Sequence, residues 1–343
     1  MTPVPETPSP RPAGSPGRRT CTWWWEPGER SASGAPSPRS VRAAVDDGPT
    51  SRTSGRRGSV ADVTALRRLD SPTGLGPGDH VCWTFADVAE FSAAVLPFLD
   101  EGRRLGEHLL LIGSSRPELL RMLAALPGRD GLLASGQLEV HSTAGVYASG
   151  GELSPTEQVE AYRSLVGAAL ERGRTGLRVA ADVTPLVRRG LDVRRELHVY
   201  EQLADAMMGT VATTALCLYE ASLGEDVLGP VVLLHPDQHH GEGEPLAHLS
   251  GRGPELSLHG EVDVTQADAL FRALVDVAGG APGEVVLDLS DVRYLDVAGA
   301  RALARATQVL RGADVHLRMV RAPRVAARCL ELFGLGGGET VPS

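Results

Sequence analysis

From Gly78 to Leu234 short apolar runs alternate with longer amphipathic ones, and that alternation constrains the fold more than any other feature of the chain. Asp79–Phe85, Glu107–Gly113, Gln137–Ser142, Leu177–Asp182, Ala215–Tyr219 and Val231–Leu234 have the length and content of strands. Between them Ala86–Leu105, Arg116–Leu126, Thr156–Arg172 and Val193–Met208 carry apolar residues at helical spacing. Leu109-Leu-Leu-Ile112 is continuously apolar, as in a strand covered on both faces. Ser154 and Glu157 stand where a capping box would open the third of these helices. The expectation is an α/β fold, a mostly parallel sheet with helices on both faces. Past residue 254 a smaller α/β pattern follows. Strand segments at Leu256–Leu258 and Glu261–Val264 precede helix Gln266–Ala278. Strand Glu284–Leu289, helix Gly299–Arg311, strand Asp314–Val320 and helix Pro323–Phe333 complete it.

The flanking segments lack periodicity. Residues 1–60 are rich in Pro, Ser, Gly and Arg and read as a disordered tail, a translated leader whose true start is expected downstream near Val60; the alternative makes Trp23-Trp24-Trp25 a docking peptide. Residues 61–236 form the first domain. Residues 237–253 read as a linker, with His239, His240 and His248 as solvated spacers, and residues 254–343 form the second domain.

Composition removes several function classes. All 34 basic residues are arginine, so no Schiff-base lysine and no lysine-bearing phosphate loop can exist. A net charge of −9 argues against a nucleic-acid binder. No apolar run reaches the ~20 residues of a membrane helix, and no signal peptide opens the chain. Cys21, Cys82, Cys217 and Cys329 are too scattered for a disulfide framework or a zinc ribbon. The expectation is a cytoplasmic protein.

His80, Cys82, Cys217 and His235 lie on or at the ends of these strands, and two thiolates with two imidazoles would suit tetrahedral zinc. His80 and Cys82, however, share one face of one strand, a geometry seldom used for chelation. We therefore assign no metal and no cofactor. A small-molecule pocket lined by His80, Cys82, Trp83, Asp182, Cys217, Tyr219 and His235 is the expectation, with ordinary core as the alternative. Asp182 reads as a helix cap. A Cys217 nucleophile with His235 as base has no local support.

Two resemblances give these domains a context. Gly78-Asp-His-Val-Cys-Trp83, Phe98-Leu-Asp-Glu-Gly102, Gly176-Leu-Arg-Val-Ala-Ala-Asp-Val-Thr184, Tyr200-Glu201, Ala215-Leu-Cys-Leu-Tyr219 and His235-Pro236 together resemble the MEDS sensory domain of regulators of hydrocarbon-derivative metabolism. That resemblance implies a RecA-like sheet that has lost its phosphate loop, and Gly113-Ser-Ser-Arg116 stands where the loop would be. Gly260-Glu-Val-Asp263 and Asp288-Leu-Ser-Asp-Val-Arg-Tyr-Leu-Asp-Val-Ala-Gly299 resemble the STAS domain of anti-sigma factor antagonists. In that family a serine after the last aspartate is the phosphorylation switch; here the position is Val297, which cannot accept a phosphate. The resemblance implies partner binding through Asp263, Asp296, Val297, Ala298 and Gly299. The partner would be a serine-kinase anti-sigma factor or another STAS protein. The combined expectation is a non-enzymatic regulator with a ligand- or partner-sensing domain and a docking domain. The alternatives are a degenerate RecA-like nucleotide-binding enzyme and a structural STAS scaffold.

Overall fold

The computed structural model of the protein describes residues 66–147, 153–241, 246–281 and 283–335. The expected tail at 1–60, the Trp23–Trp25 run and Gly336–Gly338 lie outside them.

The first half begins with β1 (Arg67–Arg68), β2 (His80–Phe85), α1 (Val88–Leu105) and β3 (His108–Gly113). Next come α2 (Arg116–Met122), α3 (Arg129–Ser135), β4 (Leu138–Ser142), α4 (Thr143–Tyr147) and α5 (Pro155–Glu171). β5 (Leu177–Asp182), α6 (Thr184–Val187), α7 (Leu191–Met208), β6 (Thr213–Glu220), α8 (Glu225–Val232) and β7 (Asp237–His239) complete it. The strands form one seven-stranded sheet in the order β1-β7-β2-β6-β5-β3-β4, with every neighbouring pair parallel. Because side chains alternate across a strand, β2 sends Val81, Trp83 and Phe85 into a core with Leu216, Leu218 and α1. His80 and Cys82 face the other way.

The second half holds β8 (Ala247–Arg252), β9 (Glu255–Val262), α9 (Ala267–Ala278), β10 (Gly283–Asp288) and β11 (Val292–Leu295). It ends with α10 (Val297–Gly312), β12 (Val315–Val320) and α11 (Arg324–Glu331). Its sheet runs β11-β9-β10-β12 in parallel, and β8 joins β9 antiparallel. Leu256, Leu258 and Val262 of β9 alternate inward to meet Leu270, Leu274, Leu303 and Leu310.

Three expectations need correction. The linker at 237–253 is largely two strands: β7 is an inner strand of the first sheet, and β8 is the hairpin partner of β9. Their short, mostly polar runs show too little alternation to announce a strand, although Ala247 and Leu249 of β8 reach the core. Val231–Leu234 is the end of α8 and the turn after it rather than a strand; Gly224 at φ 77° precedes the helix, and Leu228 and Val231 turn inward at its spacing. Ser154 stands at the N-cap of α5 but makes no side-chain capping bond.

No described helix is long and apolar enough to cross a membrane.

Candidate functional site

On the face of the first sheet opposite its α1 core, four buried ionisable side chains converge. His80 Nε2 lies 3.3 Å from Glu201 Oε2 and 3.6 Å from Cys217 Sγ. His235 Nε2 lies 3.6 Å from the same Glu201 oxygen, and Cys217 Sγ lies 3.9 Å from it. The four donor atoms all fall within 4.8 Å of one another. β2 supplies His80 and β6 supplies Cys217, while α7 lowers Glu201 onto them and the turn after α8 brings His235.

A surrounding layer orients these groups. Tyr219 Oη donates to Glu201 Oε1 at 2.6 Å, leaving Oε2 for the cluster. His80 Nδ1 faces Asp205 Oδ1 at 3.4 Å, and His235 Nδ1 donates to the Val231 carbonyl at 2.8 Å. A carbonyl only accepts, so the His235 proton sits on Nδ1 and its Nε2 is a lone-pair donor. That buried Nε2 has no hydrogen-bond partner among the described residues.

The electrostatics follow from burial and proximity. Burial and the neighbouring His80 push His235 down to about 3, and burial with Glu201 pushes the Cys217 thiol up to about 11. For His80 burial acts downward, but Asp205, Cys217 and Glu201 outweigh it and hold the imidazole well above its ordinary value. Burial would raise Glu201; the His80 hydrogen bond and the facing imidazoles bring it below the usual carboxylate range.

The remaining residues of the expected pocket separate. Cys82 pairs in register with Cys217 and is buried beside it, outside the four-donor set. Trp83 points to the opposite face and stacks on His239 with centroids 3.7 Å apart, so it lines the core and not the cluster. Asp182 accepts from Thr184 N at 3.0 Å and from Ser114 Oγ at 3.1 Å, but it stands one residue ahead of Val183, the N-cap of α6, and so is not the cap itself. The linker histidines are not solvated spacers: His248 is 2% exposed and lies 3.6 Å from Asp205.

At the far end of the second sheet, Asp296 caps α10 by accepting from Gly299 N at 2.8 Å. Asp263 accepts from both the backbone and hydroxyl of Thr265 at 2.7 Å, which holds its carboxyl below the usual range. Val297, in the first turn of α10, is 55% exposed, and Val264 at 68% follows the neighbouring strand. Ala298 is half-buried. Gly299 lets α10 pack closely: a Cβ there would lie 2.7 Å from Leu295 Cδ1 and 2.9 Å from Val262 Cγ1, so a larger residue would force these buried side chains to shift.

Residues 79–236 match the family model described as MEDS, MEthanogen/methylotroph, DcmR Sensory domain. Residues 247–342 match that of the Mlab, STAS domain. The chain joins a MEDS domain to a STAS domain. The anti-sigma-F factor antagonist RsfB of Mycobacterium tuberculosis, from strains CDC 1551 / Oshkosh and ATCC 25618 / H37Rv, is 35% identical over 80 residues. The match takes in 23% of this chain and 65% of that relative's length.

Within the MEDS domain the sequence reading missed Glu201 and Asp205. Glu201 stood in the resemblance as part of Tyr200-Glu201, yet only strand residues entered the expected pocket. The available signal was a Glu and an Asp four residues apart on a helix, hence on one face. The STAS domain meets the MEDS domain along α7. His198 Nδ1 lies 2.8 Å from Asp276 Oδ2 of α9, and Asp205 stands between His80 and His248 of β8.

Proposed function

We propose that this chain is a cytoplasmic signalling regulator whose MEDS domain senses a small molecule or a partner and whose STAS domain binds an anti-sigma factor of the serine-kinase type or another STAS protein. The observation that carries the reading is Val297, an exposed apolar side chain at the N-terminus of α10 where the antagonist pattern has its phosphoacceptor. Phosphate added there would bring about −1.5 to −2 charge to the interface and release the partner. A valine leaves the docking corner without that switch, so control falls to the MEDS domain. Its route is supported by Leu233 and Leu234, which follow α8 and are buried in the STAS core, and by α7 packed against β8 and α9.

The test is capture of partners from native cytoplasm by the full chain, beside Val297→Arg. Recovery of an anti-sigma kinase by the native chain, reduced at least roughly tenfold by the arginine at unchanged melting temperature, supports the reading; buried charge without a partner at an interface centre costs that much or more. Equal recovery by both chains, or recovery of neither such a kinase nor a STAS protein, sets it aside.

A further inference from the structure

We infer that His80, Glu201, Cys217 and His235 form a buried site for one divalent transition-metal cation, with zinc the ion that the donor set suits. The inference goes beyond the regulatory reading and holds whatever the STAS domain binds.

The spacing of the donors is the first argument. Zinc bonds of about 2.0–2.3 Å place tetrahedral donors about 3.3–3.8 Å apart. Of the six donor–donor edges four are 3.3, 3.6, 3.6 and 3.9 Å, and the other two lie within 4.8 Å. The objection that His80 and Cys82 share a strand face disappears, because Cys82 is not in the set and α7 supplies Glu201 instead.

Chemistry is the second argument. Two neutral imidazoles, one thiolate and one carboxylate carry two negative charges, which a divalent cation neutralises, and the mixture of nitrogen, sulfur and oxygen fits a borderline-soft ion. Loading releases the Cys217 thiol proton and the proton between His80 and Glu201 to solvent. One M²⁺ thus replaces two protons, and the charge of the interior is unchanged.

The surrounding layer is the third argument. Metal-binding histidines give their second ring nitrogen to a carboxylate or a carbonyl. Here Asp205 takes that of His80 and Val231 O takes that of His235. Tyr219 holds the far oxygen of Glu201. The buried His235 Nε2, aimed at Glu201 without a hydrogen-bond partner among the described residues, has no other evident use. With all four positions filled by protein the site is closed, so it holds a state of the fold together and performs no catalysis.

The untagged full chain, loaded with Zn²⁺ or Co²⁺ and desalted, decides the matter by elemental mass spectrometry and absorption. The expected result is one metal per chain, with affinity roughly a hundredfold weaker in His235→Ala. The cobalt form should show a thiolate-to-cobalt charge-transfer band that Cys217→Ser lacks and Cys82→Ser keeps. If His235→Ala does not fold, that cysteine pair still decides. The inference is overturned by a desalted chain free of metal. It is equally overturned by retention unchanged in His235→Ala, which would move the metal to exposed histidines such as His316, or by a band that ignores Cys217.

Discussion

Arg178 shows how much a single residue can govern here. It is the second residue of β5, has no exposed surface, and its Nε donates to Glu107 Oε2 at 2.5 Å. Its other nitrogens reach Glu101 at 3.3 Å and the Leu75 carbonyl at 2.8 Å, and the guanidinium sits 4.7 Å over the Phe98 ring. Truncation to alanine leaves Glu107 buried without its counter-charge, a change that costs about 3–5 kcal/mol. Urea unfolding should show that loss for Arg178→Ala and a much smaller one for Arg178→Met with Glu107→Gln, which removes both charges and keeps the volume. A loss in the double variant as large as in the single one would show that packing, not the buried charge, sets the cost. In the sequence Gly176-Leu-Arg-Val-Ala-Ala-Asp182 was legible as a buried strand, but the reason for its charge was not. The partners of Arg178 lie 71 and 77 residues away, and no local pattern announces them. The partners of Glu201, which come from two strands and a turn, were hidden for the same reason; only its spacing from Asp205 on one helix face was legible. His80, Cys217, Tyr219 and His235 were legible because their donor types stand out against an aliphatic background.

At the scale of elements, the long periodic helices and apolar strands could be read from sequence, and the short polar strands could not. β7 and β8 are built from Asp-Gln-His and Ala-His-Leu-Ser-Gly-Arg, which carry no alternation long enough to recognise. They exist because a neighbouring strand offers a ladder. The start of α10 was readable because capping chemistry is local. Its Asp296 is extended at φ −88° and ψ −178°, and its carboxylate accepts from Gly299 N. Asp296→Ala should therefore cost about 1 kcal/mol by thermal or urea unfolding, within a usual range of about 0.5–2. Asp296→Asn keeps an acceptor and should cost only a few tenths. The pair also separates two roles at the docking corner. If asparagine preserves stability and still loses the partner, the charge of Asp296 acts in recognition; if it preserves both, the residue is a cap alone.

At the scale of the whole molecule, the seam along α7 makes the MEDS and STAS domains sensitive to acid together. His248 of β8 stands in that seam, facing Asp205 from α7, His259 from β9 and, beyond Asp205, His80 from β2. Asp205 favours the charged imidazole, but burial dominates and the group is pushed down to about 4. In the unfolded chain the same histidine takes its proton near 6.5. Between about pH 4 and 6.5 the unfolded state therefore holds the extra proton, so stability rises with pH across that window and is lost as pH falls through it. One group contributes about 1.4 kcal/mol per pH unit, which makes about 2 kcal/mol between pH 6.5 and 5. His248→Gln cannot take up the proton, so urea unfolding at pH 6.5 and 5 should show its acid loss smaller than the native chain's by about that amount. Identical losses in the two chains would mean that His248 is reached by water when the domains are folded together. That result would also weaken the α7 route from the MEDS domain to the docking corner, because a seam that admits water to His248 leaves the two domains free to move apart.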